Sequence, residues 1–387
     1  MNNFIDNRYP TVNDLRAKAR KRIPRFAFDY LEGGCMDELG LQRNREGIEA
    51  VQLRSELLKP YSGCNLSVEL FGHTYSSPFG IAPIGLQGLM WPNAPEILAA
   101  VALKKNIPYV LSTVSSSSLE RIAEISEGNA WYQFYNPTDD SIRKDLLRRV
   151  DRAGYKVLVV TVDVQTFGYR PRDIKNGLSM PPKMTLRNIM QMLSCPRWLI
   201  ETAIAGKPEM QTLKPYMPKG MPVDQLAEFM NKTVMGRVDV EGLKPIRDAW
   251  QGPLVVKGLI NESDVAAAIQ IGADAVVMSN HGGRQLDAGE SPVEPLQRVS
   301  KKYGEQIKIF MDSGLRSGTN IAAALASGAD FTFLGRPFVY GLGALGKKGG
   351  LHTINCLHKQ MEQIMNQLGC ESVDQLPHFL VPNKPIN

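Results

Sequence analysis

No run of apolar residues in this 387-residue chain approaches the ~18 needed to cross a bilayer, so a membrane-spanning helix is not expected. The N-terminal MNNFIDNRYPTVNDLRAKARKR lacks the apolar stretch of a signal peptide, and export is not expected either. Cysteines are few. Cys35, Cys64, Cys195, Cys356 and Cys370 are scattered, odd in number and form no CxxC pair, which argues against a disulfide framework or zinc site and suits a reducing cytoplasm. His352, Cys356 and His358 could share a helix, but their register fits no known metal set, so no metal is expected. Nowhere do basic residues alternate with aromatics in a repeat, which makes nucleic acid a poor partner. There is no internal duplication and no sign of a second domain.

Apolar residues make up 43% of the chain and charged ones 22%, enough for one large α/β core. Eight short apolar runs recur: 79–83, 108–112, 130–134, 156–161, 253–257, 274–279, 307–312 and 330–335. Near-continuous hydrophobicity over five or six residues marks strands buried on both faces. Helical patterns alternate with them, as at 95–106, 140–154, 261–272 and 318–328. Eight strands alternating with helices predict a closed parallel (β/α)8 barrel, with an open doubly wound sheet as the fallback. Residues 1–60 read as a helical cap and residues after Leu351 as C-terminal helices. The stretch 165–250, between strands four and five, reads as a long functional or partly disordered loop. Formal charge is +6, and 183–220 holds six Lys/Arg against two Glu. Such a basic stretch could meet an anionic partner such as a membrane surface.

Barrels of this kind do chemistry at the C-terminal ends of their strands. The residues there include Ser112, Gln133, Tyr135, Thr161, Asp163, Lys257, Asn280, His281, Asp312, Gly335 and Arg336. Strands seven and eight end in MDSGLRSG and LGRP, whose glycines free backbone N–H groups for a phosphate while Arg316 and Arg336 add charge. In SNHGGRQLD, after strand six, His281 is placed to act as a base and Arg284 to grip a carboxylate. Asp163 could orient that imidazole, and Arg170 is a second carboxylate ligand. Lys257, ending an apolar run, needs a buried partner or an anion to stabilise.

With these residues in place, the chain resembles the FMN-dependent L-2-hydroxy acid dehydrogenase and oxidase family, which includes glycolate oxidase, membrane L-lactate dehydrogenase and mandelate dehydrogenase. SNHGGRQLD is the decisive motif, supported by FDYLEGG (28–34), QFY (133–135), TVD (161–163), VVKG (255–258) and DSGLRSG (312–318). The resemblance implies FMN as cofactor and His281 as base, paired with Asp163. It implies Arg170 and Arg284 on the substrate carboxylate, with Tyr30 and Tyr135 as its hydrogen-bonding partners. Lys257 would stabilise negative charge on the reduced flavin. The ring would meet Pro83, Ile84, Gly85, Ser112, Gln133 and Thr161. Asp312 would take the ribityl chain, and Ser313, Gly314, Arg316, Gly335 and Arg336 the phosphate.

Gly85 and the long segment after strand four are similar to the membrane dehydrogenases. Val114 stands where glycolate oxidase has a tryptophan, which implies a roomier pocket, and Phe167 is the residue expected to narrow it again. The family implies a homo-oligomer. The leading expectation is therefore oxidation of an L-lactate-like hydroxy acid, with electrons passed to a quinone-type acceptor by a cytoplasmic enzyme peripheral to the inner membrane face. An oxygen-using oxidase and a mandelate dehydrogenase are the alternatives, and a non-catalytic phosphate- or flavin-binding barrel is the alternative of another class. An inosinate-type nucleotide dehydrogenase needs a cysteine in a glycine-rich barrel loop, which Cys195 does not provide.

Overall fold

Runs of Val, Ile, Leu and Phe with no polar face can form strands only where both sides are covered. The computed structural model, which describes residues 3–178, 183–222, 225–233 and 236–382, places all eight such runs in one sheet. The strands are β1 (Phe79–Ile81), β2 (Val110–Ser112), β3 (Trp131–Phe134), β4 (Leu158–Thr161), β5 (Leu254–Leu259), β6 (Ala275–Met278), β7 (Lys308–Met311) and β8 (Phe331–Leu334). Each pairs in parallel with its sequence neighbour and β8 pairs with β1; a bridge from Ile81 to Tyr109 closes the ring between β1 and β2. The fold is a (β/α)8 barrel.

The barrel helices are α1 (Ala94–Lys105), α2 (Leu119–Ile125), α3 (Asp140–Arg152), α4 (Val240–Ala249), α5 (Glu262–Gln270), α6 (Val293–Tyr303), α7 (Gly318–Ala326) and α8 (Arg336–Leu345). Five of them start where a side chain accepts a first-turn N–H: Ser118, Asp139, Asp239, Asn261 and Ser317. Inside the barrel, Trp131, Phe310, Phe331 and Phe333 pack with Val157, Val255 and Ala275. A hairpin of Val68–Leu70 and His73–Tyr75 plugs the N-terminal mouth. Its Phe71 and Tyr75 lie 5.7 and 6.4 Å from the Trp131 ring, and the indole N–H donates to Tyr75 Oη at 3.0 Å. Only the opposite mouth remains open to ligands.

The cap consists of helices Asn3–Arg8, Val12–Ala19, Arg25–Glu32 and Leu39–Glu49. At the other end a helix spans Gly349–Leu368, followed by a 3-10 stretch, Val373–Phe379. The expected long loop contains four helices: Pro171–Lys175, Leu186–Leu193, Pro196–Ala205 and Leu226–Thr233 precede α4, which itself belongs to the barrel. Residues 1–2, 179–182, 223–224, 234–235 and 383–387 of the expected cap, loop and C-terminal segments lie outside the described residues. Among those described, no helix is long and apolar enough to cross a membrane.

Candidate active site

Near its C-terminal end β5 carries Lys257-Gly258, and the two residues do different work. Gly258 has φ +107° and sits at a shift in register between β5 and β6, a bulge of the kind that re-aims neighbouring side chains. Lys257 turns inward, is 4% exposed, and places Nζ 3.0 Å from Asp312 Oδ2 and 3.0 Å from Ser279 Oγ. Burial pushes its ammonium down, but the charges of Asp312 and Asp163 more than reverse this, so Lys257 is held protonated.

After β6 the backbone of His281, Gly282 and Gly283 runs through the left-handed region, at φ +56°, +68° and +72°. Few non-glycine residues adopt it, and His281 is held there by neighbours. Its N–H donates to Ser279 Oγ at 3.1 Å, and the adjacent Asn280 exchanges amide hydrogen bonds with Asn44 of the cap at 2.6 and 2.8 Å. His281 Nδ1 then meets Asp163 Oδ1 at 2.8 Å. Burial pushes the Asp163 carboxyl up, yet the imidazole beside it and the Lys257 charge bring it below the usual aspartate range. A carboxylate at Nδ1 fixes the tautomer and leaves Nε2 as the basic nitrogen.

Arg284, in the same loop, donates from Nη1 to the carbonyls of Tyr30 (2.8 Å) and Gly33 (2.7 Å), and its guanidinium lies 5.2 Å from the Tyr30 ring centroid. Burial, then the nearby Arg170 charge, pull it down to about 10. Arg170 reaches Gln285 Oε1 at 3.3 Å and Asp173 at 3.9 Å. Tyr30, Tyr135, Arg170, Arg284 and His281 all line one cavity of about 1460 Å³ at the open mouth. Burial raises the Tyr135 phenol well above its ordinary value, so it stays protonated as a donor.

On the other side of the rim, Ser313 and Gly314 are left-handed (φ +76° and +86°), and α8 begins at Gly335 with no side-chain cap. Uncapped first-turn N–H groups beside a strand-seven glycine turn form an anion cradle. The Arg316 guanidinium donates to Leu315 O at 2.9 Å and its backbone N–H to Asn320 Oδ1 of α7 at 3.0 Å, which leaves its charge near the cradle. Arg336 borders the same cavity and also clamps cap to barrel: its guanidinium donates to the carbonyls of Leu31 (2.8 Å), Gly282 (3.2 Å) and Gly33 (3.0 Å). Burial, then the charges of Arg316 and Arg284, pull it down to about 9.

A phosphate-tailed, hydrogen-bonding ring fits the wall between these two sides. Ser112 Oγ donates to Gln133 Oε1 at 3.0 Å, fixing the amide, while Gln133 Nε2 and Thr161 Oγ1 are buried on the cavity wall without partners. Orphaned buried donors on a cavity wall imply a ligand that satisfies them. Pro83, Ile84, Gly85, Asp312, Ser313 and Gly335 border the same cavity. Sequence reasoning had not singled out Gly258 or the Asn44–Asn280 pair; the glycine directly after a strand-end lysine was the available signal for the first. The cap asparagine, 236 residues away, gave none.

Eight-stranded barrels that use a phosphorylated cofactor hold its tail beside strands seven and eight. This chain is a barrel oxidoreductase of that class. A family model for FMN-dependent dehydrogenases matches residues 19–382. L-lactate dehydrogenase of Haemophilus influenzae (strain PittEE) is 38% identical over 96% of this chain and 98% of its own; that of Vibrio parahaemolyticus is 36% identical over 94% and 96%. The crystal structure of the monotopic membrane protein (S)-mandelate dehydrogenase superposes with a TM-score of 0.91 at 34% identity, covering 97% of this chain and all of that one. The chain belongs to the FMN-dependent 2-hydroxy acid dehydrogenases, and FMN is its cofactor.

Proposed function

We propose that this enzyme oxidises L-lactate or a close L-2-hydroxy acid to the 2-keto acid, with His281 as base and a quinone-type final acceptor. The observation that carries this reading is the 2.8 Å contact between His281 and Asp163 in a cavity also lined by Arg170 and Arg284. A substrate carboxylate would pair with the two guanidiniums, and Tyr30 and Tyr135 would hydrogen-bond to it and to the hydroxyl. His281 Nε2 would take the proton, and the Asp163 carboxylate would stabilise the imidazolium so formed. FMN, when bound, supplies the two-electron sink. Residues that would hold it are Pro83 to Gly85, Ser112, Gln133 and Thr161 at the ring, and Asp312, Ser313, Gly314, Arg316, Gly335 and Arg336 toward the phosphate. Lys257 would keep a fixed positive charge against the ring's electron-rich edge.

The test is rapid-mixing reduction of the bound flavin by L-lactate, L-mandelate and glycolate, in the wild type and in His281→Gln. L-lactate should bleach the wild type fastest, and the variant should stay yellow. Normal bleaching of the variant would remove His281 from the reaction, and fast peroxide formation in air would make the enzyme an oxidase. A second reading, mandelate as substrate, is favoured by the similarity to the solved (S)-mandelate dehydrogenase.

Peripheral contact with a membrane belongs to the same reading. Helices Leu186–Leu193 and Pro196–Ala205 expose Leu186, Met190, Leu193, Ile200 and Ile204 beside Arg187 and Arg197. An apolar face edged by basic residues suits an anionic lipid surface.

A further inference from the structure

The wall of the active-site cavity carries nine Lys/Arg and three Asp/Glu side chains, an excess of six. The whole chain has 45 Lys/Arg and 39 Asp/Glu, also an excess of six. Taking nine from 45 and three from 39 leaves 36 of each sign for the rest of the molecule. All of the net charge therefore sits on one cavity.

FMN and substrate do not account for it. A phosphate monoester carries about two negative charges and a carboxylate one. The inner cations Lys257, Arg170, Arg284, Arg316 and Arg336, set against Asp173 and Asp312, already leave three positive charges to meet those three. The surplus lies farther out, on Lys183, Lys207, Lys214 and Lys219, all exposed and all on the segment between β4 and α4. Lys214 pairs with Glu209 at 2.8 Å. Lys183, Lys207 and Lys219 form no ion pair among the described residues and sit where the cavity meets solvent.

We infer that Lys183, Lys207 and Lys219 form an electrostatic funnel that concentrates the anionic substrate at the mouth of the cavity. The inference rests on the proposed function in that the substrate is a carboxylate. Clefts lined by one sign of charge raise local counter-ion concentration and association rates 10-fold or more, and salt removes the gain over about 8–10 Å. The three lysines touch neither the reacting atoms nor the phosphate cradle, so they act on capture and leave the bound complex unchanged.

The experiment compares FMN-loaded wild type with K183Q/K207Q/K219Q. The second-order rate constant for flavin reduction by L-lactate should fall steeply with added salt in the wild type. In the variant it should start about 3- to 10-fold lower and depend weakly on salt, with the saturating reduction rate unchanged. A second readout does not need turnover: iodide, an anion, should quench flavin fluorescence more efficiently in the wild type than in the variant, while neutral acrylamide quenches both alike. Equal salt dependence and equal iodide quenching in the two proteins would overturn the funnel. So would a variant that loses only its binding to anionic vesicles, because the lysines would then serve lipid. If no hydroxy acid bleaches the flavin but the iodide difference persists, the funnel stands and the proposed substrate falls.

Discussion

A Cβ atom added to Gly258 would lie 2.5 Å from Cγ of Asp163, with the carboxylate oxygen Oδ2 at 2.8 Å. The bulge on β5 thus reserves the space in which the partner of His281 sits. Gly258→Ala should push Asp163 off its 2.8 Å contact with the imidazole and cost about 100-fold or more in the saturating rate of flavin reduction. FMN should remain bound, because the cradle beyond β7 and β8 is untouched. Full activity in a variant that binds FMN normally would show that the Asp163 position does not matter.

Gly85 and Val114 are coupled by the same kind of geometry. A Cβ on Gly85 would come 2.6 Å from Val114 Cγ2, and 3.8 Å from the Tyr30 hydroxyl. Gly85→Ala alone should overpack the site and cost about 1–3 kcal/mol, and Val114→Ala in the same chain should recover most of it. Thermal unfolding of the two single variants and the double variant measures the non-additivity. Simple additivity would mean that the two residues do not meet in solution.

The barrel was legible because each of its strands is buried on both faces and therefore apolar throughout; all eight observed strands overlap the expected runs, and β5 alone runs past its expected end, to Leu259. The chemistry at the rim was legible for a related reason: Lys257 lies near the end of β5, and Asp163, His281 and Arg284 lie within six residues of the ends of β4 and β6, so chain position predicts space. The segment after β4 was not. Its helices are short and amphipathic, with Leu186, Met190 and Leu193 exposed, so no continuous apolar face announces them as packed elements. The clamp that Arg336 makes between cap and barrel was also hidden, since its three carbonyl partners are backbone atoms of Leu31, Gly33 and Gly282 and leave no mark on side-chain identity.

Glu32 ties three elements together, accepting from Tyr340 Oη at 2.7 Å and pairing with Arg16 at 2.6 Å. Burial pushes its carboxyl up, but the hydrogen bonds from Arg16 and Tyr340 prevail and hold it below its ordinary 4.5. A carboxyl lowered by folding stabilises the fold above its ordinary value, and that contribution is lost as pH falls through the folded value. Glu32→Gln should therefore destabilise the protein by about 1–3 kcal/mol near neutral pH and progressively less in acid. Denaturant titrations of the two proteins at several pH values test this. A difference that stays constant into acid would assign the effect to packing.

Membrane contact is best tested by substitution, because the segment after β4 is also part of the barrel's cover. Trp198 is buried, donates to Met90 O at 3.1 Å and packs edge-on to Phe26 at 6.1 Å, so deleting 183–215 would strip the cap and confound binding with unfolding. Leu186 and Ile204, each 81% exposed, with Met190 and Leu193, can change without disturbing those contacts. Serine at all four should leave thermal stability close to wild type, since exposed substitutions are worth within about 0.5 kcal/mol each. Removing that much apolar surface from a lipid-facing patch should weaken vesicle binding about 10-fold or more. Unchanged co-sedimentation with anionic vesicles would place the membrane contact elsewhere, while flavin reduction in solution should be the same in both proteins whichever way the vesicles answer.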